Sequence, residues 1–222
     1  MLYKLKLICM KKDIGKILSV TVIFFLSVSC NFQYTKWDRN VSNEKMNFSR
    51  VRYSIQETDT TSIIGYLKNN TVINGYPCKQ GWVHFTKDWQ PKLFCLYKKS
   101  TVNNVQLRKG SWVVLNPGRN FFSVVFPNDT IVENFRCKGG GGVNGFQTSF
   151  YNSGKLKEFF TDENITIDHI ECKHGIKNPI KLHENGKLCS CMLNKEITLN
   201  STTFKAGTFV QLDSIGTIII NQ

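Results

Sequence analysis

Apolar and polar residues alternate over short stretches between residues 76 and 212, and each stretch is followed by a turn signal. A spacing of two places both apolar side chains of a pair on one face of a β-strand. The pairs are Val83 and Phe85, Val113 and Leu115, Thr148 and Phe150, Ile180 and Leu182, and Val210 and Leu212. Ser153-Gly154 and Asn185-Gly186 follow two of these pairs, and such dipeptides are typical of tight turns. The pattern predicts β-hairpins.

One unit of this pattern recurs about every 30 residues. Each copy has an apolar position, here called the core slot, followed by a basic residue. The core slots are Cys78, Leu107, Cys137, Cys172 and Phe204. A single hairpin is too small to bury a face alone, so we expect the units to stack in sequence. The sequence therefore predicts an all-β fold, in which about five tandem β-hairpin repeats over residues 63–222 form an extended antiparallel sheet or a solenoid-like array.

The glycine-punctuated hairpins resemble the repeats of the MORN class. They resemble more closely the repeats of uncharacterised bacterial lipoproteins of spirochaete type. The resemblance covers roughly residues 63–222, and it implies a β-repeat fold.

The N-terminal 29 residues have the order of a secretory signal peptide. Lys11, Lys12 and Lys16 form a basic segment, and the apolar segment Ile17–Val28 follows it. Twelve residues are fewer than the roughly 20 that a membrane-spanning helix needs, which disfavours a permanent membrane anchor. Met10 lies directly before the basic segment, so translation starting there would retain the whole signal.

Leu26-Ser27-Val28-Ser29-Cys30 resembles a bacterial lipobox in the loosened form of spirochaete-type lipoproteins. The resemblance implies that Cys30 is acylated, becomes the N-terminus and anchors the protein in a membrane, since several acyl chains give stable attachment. Ordinary signal-peptidase cleavage before Cys30 is the alternative, because Ser27 and Ser29 are both small. We expect residues 30–62 to be a lipidated tether, and the protein to lie in the cell envelope, on the outer membrane, facing the periplasm or the surface.

The net charge is +13, from 29 basic and 16 acidic residues. Removal of residues 1–29, which contain five lysines and one aspartate, leaves a charge of about +9. Five basic residues directly follow the core slots, and we call them the basic ladder: Lys79, Arg108, Lys138, Lys173 and Lys205. Their position predicts that they face outward in a row. Such a row either protects exposed strands against aggregation or binds a polyanion, such as lipopolysaccharide or an acidic glycan.

Export permits disulfides, and six cysteines follow Cys30. Because leucine and phenylalanine share the core slot with cysteine, these cysteines are best interpreted as core residues, with some pairing between hairpins left open. A zinc site is the alternative for four ligands within twenty residues: Cys172, His174, Cys189 and Cys191. Their C-x-H…C-x-C order is not a common zinc spacing, and export favours oxidation, so the sequence disfavours this site.

The chain has no H-E-x-x-H, G-x-S-x-G or phosphate-loop motif, and no motif for a cofactor. The four histidines occupy positions that hold unrelated residues in other units. Nucleic acid is disfavoured as a partner by the exported location and by the lack of a helix that would enter a groove. We therefore expect a non-catalytic lipoprotein with a structural or protein-binding role, and the alternative is a polyanion-binding surface lipoprotein or adhesin.

Overall fold

The computed structural model describes residues 33–43, 46–56, 59–199 and 201–219. The signal segment and Cys30 lie outside these residues. In the part of the chain that is described, no helix has the length and apolarity needed to cross a membrane.

Strands account for nearly all of the regular structure in the described residues. They are β1 (Gln33–Tyr34), β2 (Asp38–Arg39), β3 (Ser42–Asn43), β4 (Met46–Gln56), β5 (Asp59–Leu67), β6 (Thr71–Ile73), β7 (Tyr76–Cys78), β8 (Gly81–Thr86), β9 (Pro91–Cys95), β10 (Ser100–Val102), β11 (Val105–Leu107), β12 (Trp112–Val114), β13 (Phe121–Val125), β14 (Thr130–Val132), β15 (Phe135–Cys137), β16 (Gln147–Tyr151), β17 (Leu156–Phe159), β18 (Ile165–Ile167), β19 (Ile170–Cys172), β20 (Ile180–Leu182), β21 (Leu188–Met192), β22 (Ile197–Leu199), β23 (Thr202–Phe204) and β24 (Phe209–Gln211). A single-turn 3₁₀ helix spans Gly142–Asn144.

One long antiparallel sheet runs in the order β1-β4-β5-β8-β9-β12-β13-β16-β17-β20-β21-β24, and β2 and β3 also pair with β4. Between its hairpins lie five two-stranded side hairpins: β6-β7, β10-β11, β14-β15, β18-β19 and β22-β23. The predicted all-β array of tandem hairpins is thus confirmed, and each unit consists of one sheet hairpin and one side hairpin.

Type I′-like turns close the side hairpins. Asn103 and Asn104 have φ values of 42° and 65°, and Asp168 and His169 have 49° and 67°. Both central residues of a type I′ turn need positive φ, which explains the asparagine and glycine at these positions in other units. His169 is therefore a turn residue.

A single hydrophobic core lies between the side hairpins and one face of the long sheet, which we call the inner face. Cys78, Leu107, Cys137 and Cys172 contribute to it from the side hairpins, and all four are fully buried. From the sheet, the predicted alternating pairs contribute nine buried residues, and Leu115 packs partly against them. The side hairpins thus cover the face that a single hairpin could not bury.

Part of the segment expected to be a tether belongs to the sheet. Met46–Gln56 form β4, which pairs with β5 along its length. Met46, Phe48 and Val51 are buried in the core. A β-bulge between Phe48 and Arg50 shifts the inward positions from even to odd numbers, so a simple period of two does not run through this strand. The expected tether boundary at residue 62 is therefore wrong.

Candidate ligand-binding surfaces

The basic ladder lies at the junction between side hairpins and the long sheet. The backbone N–H groups of Lys79, Lys138 and Lys173 donate to the carbonyls of Cys95, Phe160 and Met192 at 2.7, 2.8 and 2.7 Å. These bonds fix three ladder residues at equivalent places in their units. Because each unit adds two strands to the sheet, successive ladder positions are separated by roughly 10 Å.

Four of the ladder side chains are exposed, and Lys138 is half-buried. The Lys138 ammonium lies 4.9 Å from the centre of the Phe146 ring. Within the described residues, no ladder member forms an ion pair, whereas Arg136, Lys181 and Lys195 each pair with a carboxylate. The ladder charges are therefore left for solvent or for a ligand.

The face of the long sheet opposite the core, here called the outer face, carries one in-register row across all its hairpins. The row is Arg52, Ile64, His84, Leu93, Val114, Ser123, Ser149, Glu158, Lys181, Ser190 and Gln211. The Ser123 and Ser149 hydroxyls lie 2.9 Å apart, and the Lys181 ammonium lies 3.6 Å from a Glu158 carboxylate oxygen. Ser123, Ser149, Glu158 and Lys181 thus find polar partners across neighbouring strands.

The six cysteines after Cys30 have free thiols, and five of them are buried. Burial raises the pKa of the Cys78 and Cys137 thiols to about 12. A hydrogen bond with the Cys191 thiol raises the pKa of Cys172, and burial raises it further. Thiols held protonated in this way are poor nucleophiles. These cysteines act as small apolar residues.

The four candidate zinc ligands do not converge. Cys172 and Cys191 meet in the core, but His174 is exposed, and its Nδ1 lies 2.8 Å from the Asn164 side-chain oxygen. Cys189 occupies a β-bulge opposite Lys181 and Leu182, so it does not share a face with Cys191 although the two residues are two apart in sequence. In the described part of the chain, no three histidine, cysteine or acidic residues are grouped to hold a metal ion.

Cys191 occupies a position of the long sheet that recurs in other units. It pairs with Val210, and the equivalent pairs place Phe94 opposite Val113 and Phe159 opposite Ile180. Leu193, two residues further along, corresponds to Leu96, because these two residues bridge Cys172 and Cys78. Both positions are buried, so both keep their apolar character.

A shallow pocket of about 580 Å³ lies under the glycine-rich segment of the third unit. Its lining includes Gly139 to Gly141 and Gly145, together with Phe146, Phe160 and Ile176. Glu158 is its only charged lining residue, and that carboxylate already pairs with Lys181. Asn144, Gln147 and Ser149 also line the pocket, so it offers a mixed polar and apolar surface.

An arginine cluster at the N-terminal end of the outer face was missed by the sequence reasoning. Arg50 and Arg52 project from β4, and the rings of Tyr34, Trp37, Tyr66 and Trp82 surround them. The signal was the spacing of two in Arg50-Val51-Arg52, where Val51 is buried on the inner face. The sequence predicts a tether here and not a strand, because the segment lacks a continuous period of two.

Comparison of the chain with protein-family models, with curated proteins and with solved structures gave no match.

Proposed function

We propose that this protein is a non-catalytic, lipid-anchored repeat protein of the cell envelope, with a structural or protein-binding role. The observation that carries the proposal is the continuous outer face, which runs through every unit and bears half-buried side chains such as Trp82, Trp112 and Phe121. Surfaces of this kind suit an extended partner, because aromatic side chains give much contact area for little loss of conformational entropy.

Site-specific photo-crosslinking in intact cells tests the outer face. A photoreactive residue at Trp112 should give a discrete adduct with one envelope protein. The same residue at Gln106, on the exposed side of a side hairpin, is the matched control and should give none. No adduct at Trp112, or the same adducts at both positions, would contradict a protein-binding outer face.

The anchor is tested by the intact mass of the mature N-terminus. Acyl chains on Cys30 support the lipoprotein assignment, whereas an unmodified Cys30 at the N-terminus identifies ordinary signal-peptidase cleavage. Protease treatment of intact cells then separates a surface-facing protein from a periplasmic one.

Polyanion binding along the basic ladder is the second candidate, favoured by the absence of ion pairs at its five members in the described chain. A repeat of roughly 10 Å suits a linear polymer with regularly spaced anionic groups. Alanine at Arg108, Lys138 and Lys173 together should flatten the salt dependence of binding to a heparin-like polymer. Alanine at Lys99, Lys155 and Lys187, which removes the same charge elsewhere, is the control. Equal effects of the two variants would refute a role for the ladder.

A further inference from the structure

Three arginines lie together on the outer face where the long sheet begins. Arg39 of β2 is directly opposite Arg50 of β4, and Arg52 is two residues further along β4 on the same face. Like charges directly opposite each other in an antiparallel pair are destabilising. No carboxylate among the described residues forms an ion pair with any of the three. Asp38, their closest acidic neighbour in sequence, is opposite the buried Val51 and so belongs to the other face.

Aromatic rings hold two of the guanidinium groups in place. The Arg52 guanidinium carbon lies 4.3 Å from the Tyr34 ring centre and 4.7 Å from that of Trp37. The Arg50 guanidinium carbon lies 5.2 Å from the Trp37 ring and 4.7 Å from the Trp82 ring. Cations and rings therefore alternate. Stacking occupies the faces of the guanidinium groups and leaves their N–H edges for a ligand.

The surroundings of this cluster are also cationic. The Arg52 Nε is buried and has no hydrogen-bond acceptor among the described residues. Lys92 adds a positive charge, since it lies in the bulge beside His84, which is two strands away in the same row. A buried guanidinium nitrogen without an acceptor is costly unless a ligand supplies one.

We propose that Arg39, Arg50 and Arg52 form a binding site for a phosphate-type oxyanion. The planar fork of an arginine matches two oxygens of a phosphate group, and two forks held by rings lose little side-chain entropy on binding. An anion between Arg39 and Arg50 also removes the repulsion that their register imposes. The site uses no ladder residue, and it does not depend on acylation of Cys30.

Free phosphate and a lipid headgroup both provide this chemistry. Tyr34 follows Cys30 by only four residues, which span at most about 14 Å. An acylated Cys30 therefore keeps the arginine site within reach of the headgroup phosphates of its own leaflet.

Titration of the purified full chain at low ionic strength tests the site, with inorganic pyrophosphate as the first probe and tryptophan fluorescence as the signal. We expect saturable binding that R50Q/R52Q weakens by about tenfold or more, as the loss of charge-assisted hydrogen bonds requires. R119Q/R136Q removes the same charge from distant positions and should bind as the wild type does. No saturable binding to the wild type, or equal weakening by the two variants, would overturn the proposal.

A second variant separates binding from folding. R50K/R52K keeps both charges and can still lie over the rings, so it should fold, but it lacks the planar forks and should bind pyrophosphate more weakly. Binding equal to that of the wild type would contradict recognition by guanidinium forks. Vesicles of phosphatidylglycerol that compete with pyrophosphate in the wild type, and not in R50Q/R52Q, identify the headgroup as the source. Pyrophosphate binding that the vesicles do not reduce identifies a soluble phosphate compound as the ligand.

Discussion

His84 illustrates how the outer face controls a single ionisable group. Burial lowers the pKa of its imidazole, and the charges of Lys92 and Arg52 lower it further. The folded protein thus binds this proton less readily than the unfolded chain, so stability falls as the pH drops below the ordinary histidine pKa of 6.5. We expect the free energy of unfolding to decline as the pH falls through 6.5 and below, and His84→Gln to reduce that decline, in urea denaturation at a series of pH values.

His174→Gln is the control for this prediction, because His174 is exposed and lies outside the row that contains His84. The free energy of unfolding of the His174→Gln variant should depend on pH in the same way as that of the wild type. An unchanged decline in His84→Gln would show that another group causes it.

Gly65 owes its identity to one aromatic neighbour. A Cβ atom at this position would lie 2.6 Å from the Cδ1 atom of Phe48, which is fully buried. We expect Gly65→Ala to lower the free energy of unfolding by about 1–3 kcal/mol, the usual cost of overpacking a core. In a Phe48→Leu background the same substitution should cost less, because leucine leaves room for the added methyl group. Equal costs in both backgrounds, measured by chemical denaturation, would exclude the Phe48 contact as the cause.

The turns of the hairpins show the same conformation with different residues. The sheet-hairpin turns place Gly154 and Gly186 at φ values of 92° and 84°, and Trp89 takes the equivalent place in the first unit at 59°. A bulky residue is rare at positive φ. Packing offsets this cost, because the Trp89 ring lies 5.6 Å from the Phe48 ring and 5.4 Å from the Phe85 ring.

Two substitutions at equivalent positions of the side-hairpin turns should change the stability in opposite directions. Gly75 has a φ of 83°, and no atom lies within 4 Å of the place where a Cβ would be. Gly75→Ala should therefore destabilise through the backbone alone, by about 1 kcal/mol. His169 has a φ of 67° and an exposed side chain, so His169→Gly should stabilise by about 0.5 kcal/mol. Thermal unfolding midpoints that move in the same direction would contradict a shared turn conformation.

Much of the secondary structure could be predicted from the sequence, because the repeated units can be compared with one another. The alternating pairs and the core slots lie in the core as the pattern indicated, since burial on one face of a strand forces a period of two. The exceptions share a cause: β-bulges at Cys189 and near Phe48 add a residue and change the face of those that follow. Bulges leave no clear sequence signal, so the arginine cluster and the end of the expected tether were both missed.

At the scale of the whole molecule, the two ends of the sheet differ. β1, β2 and β3 pair with β4 and cover the first edge, so that strand is not open to other chains. At the last edge, β24 is followed by a bridge between Leu212 and Ile218, and Phe209, Ile215 and Ile219 remain exposed. Interior units contact mainly their neighbours in sequence. Under this condition the free energy of unfolding is approximately a sum of terms for each unit and for each interface between neighbouring units.

This arrangement predicts that one whole unit can be removed. Deletion of residues 108–137 takes out β12 to β15 and joins Leu107 to Lys138, so that β16 follows the side hairpin β10-β11 as β12 does now. We expect cooperative thermal unfolding, a retained β-sheet circular dichroism signal and a lower midpoint, because two strand interfaces are lost. Deletion of residues 112–120 removes β12 alone, so that β13 would directly follow the side hairpin β10-β11. The side hairpin β14-β15 would then leave the sheet at the end opposite to its present one. That chain should not fold, and equal folding of the two deletions would contradict the hairpin pair as the unit of the array.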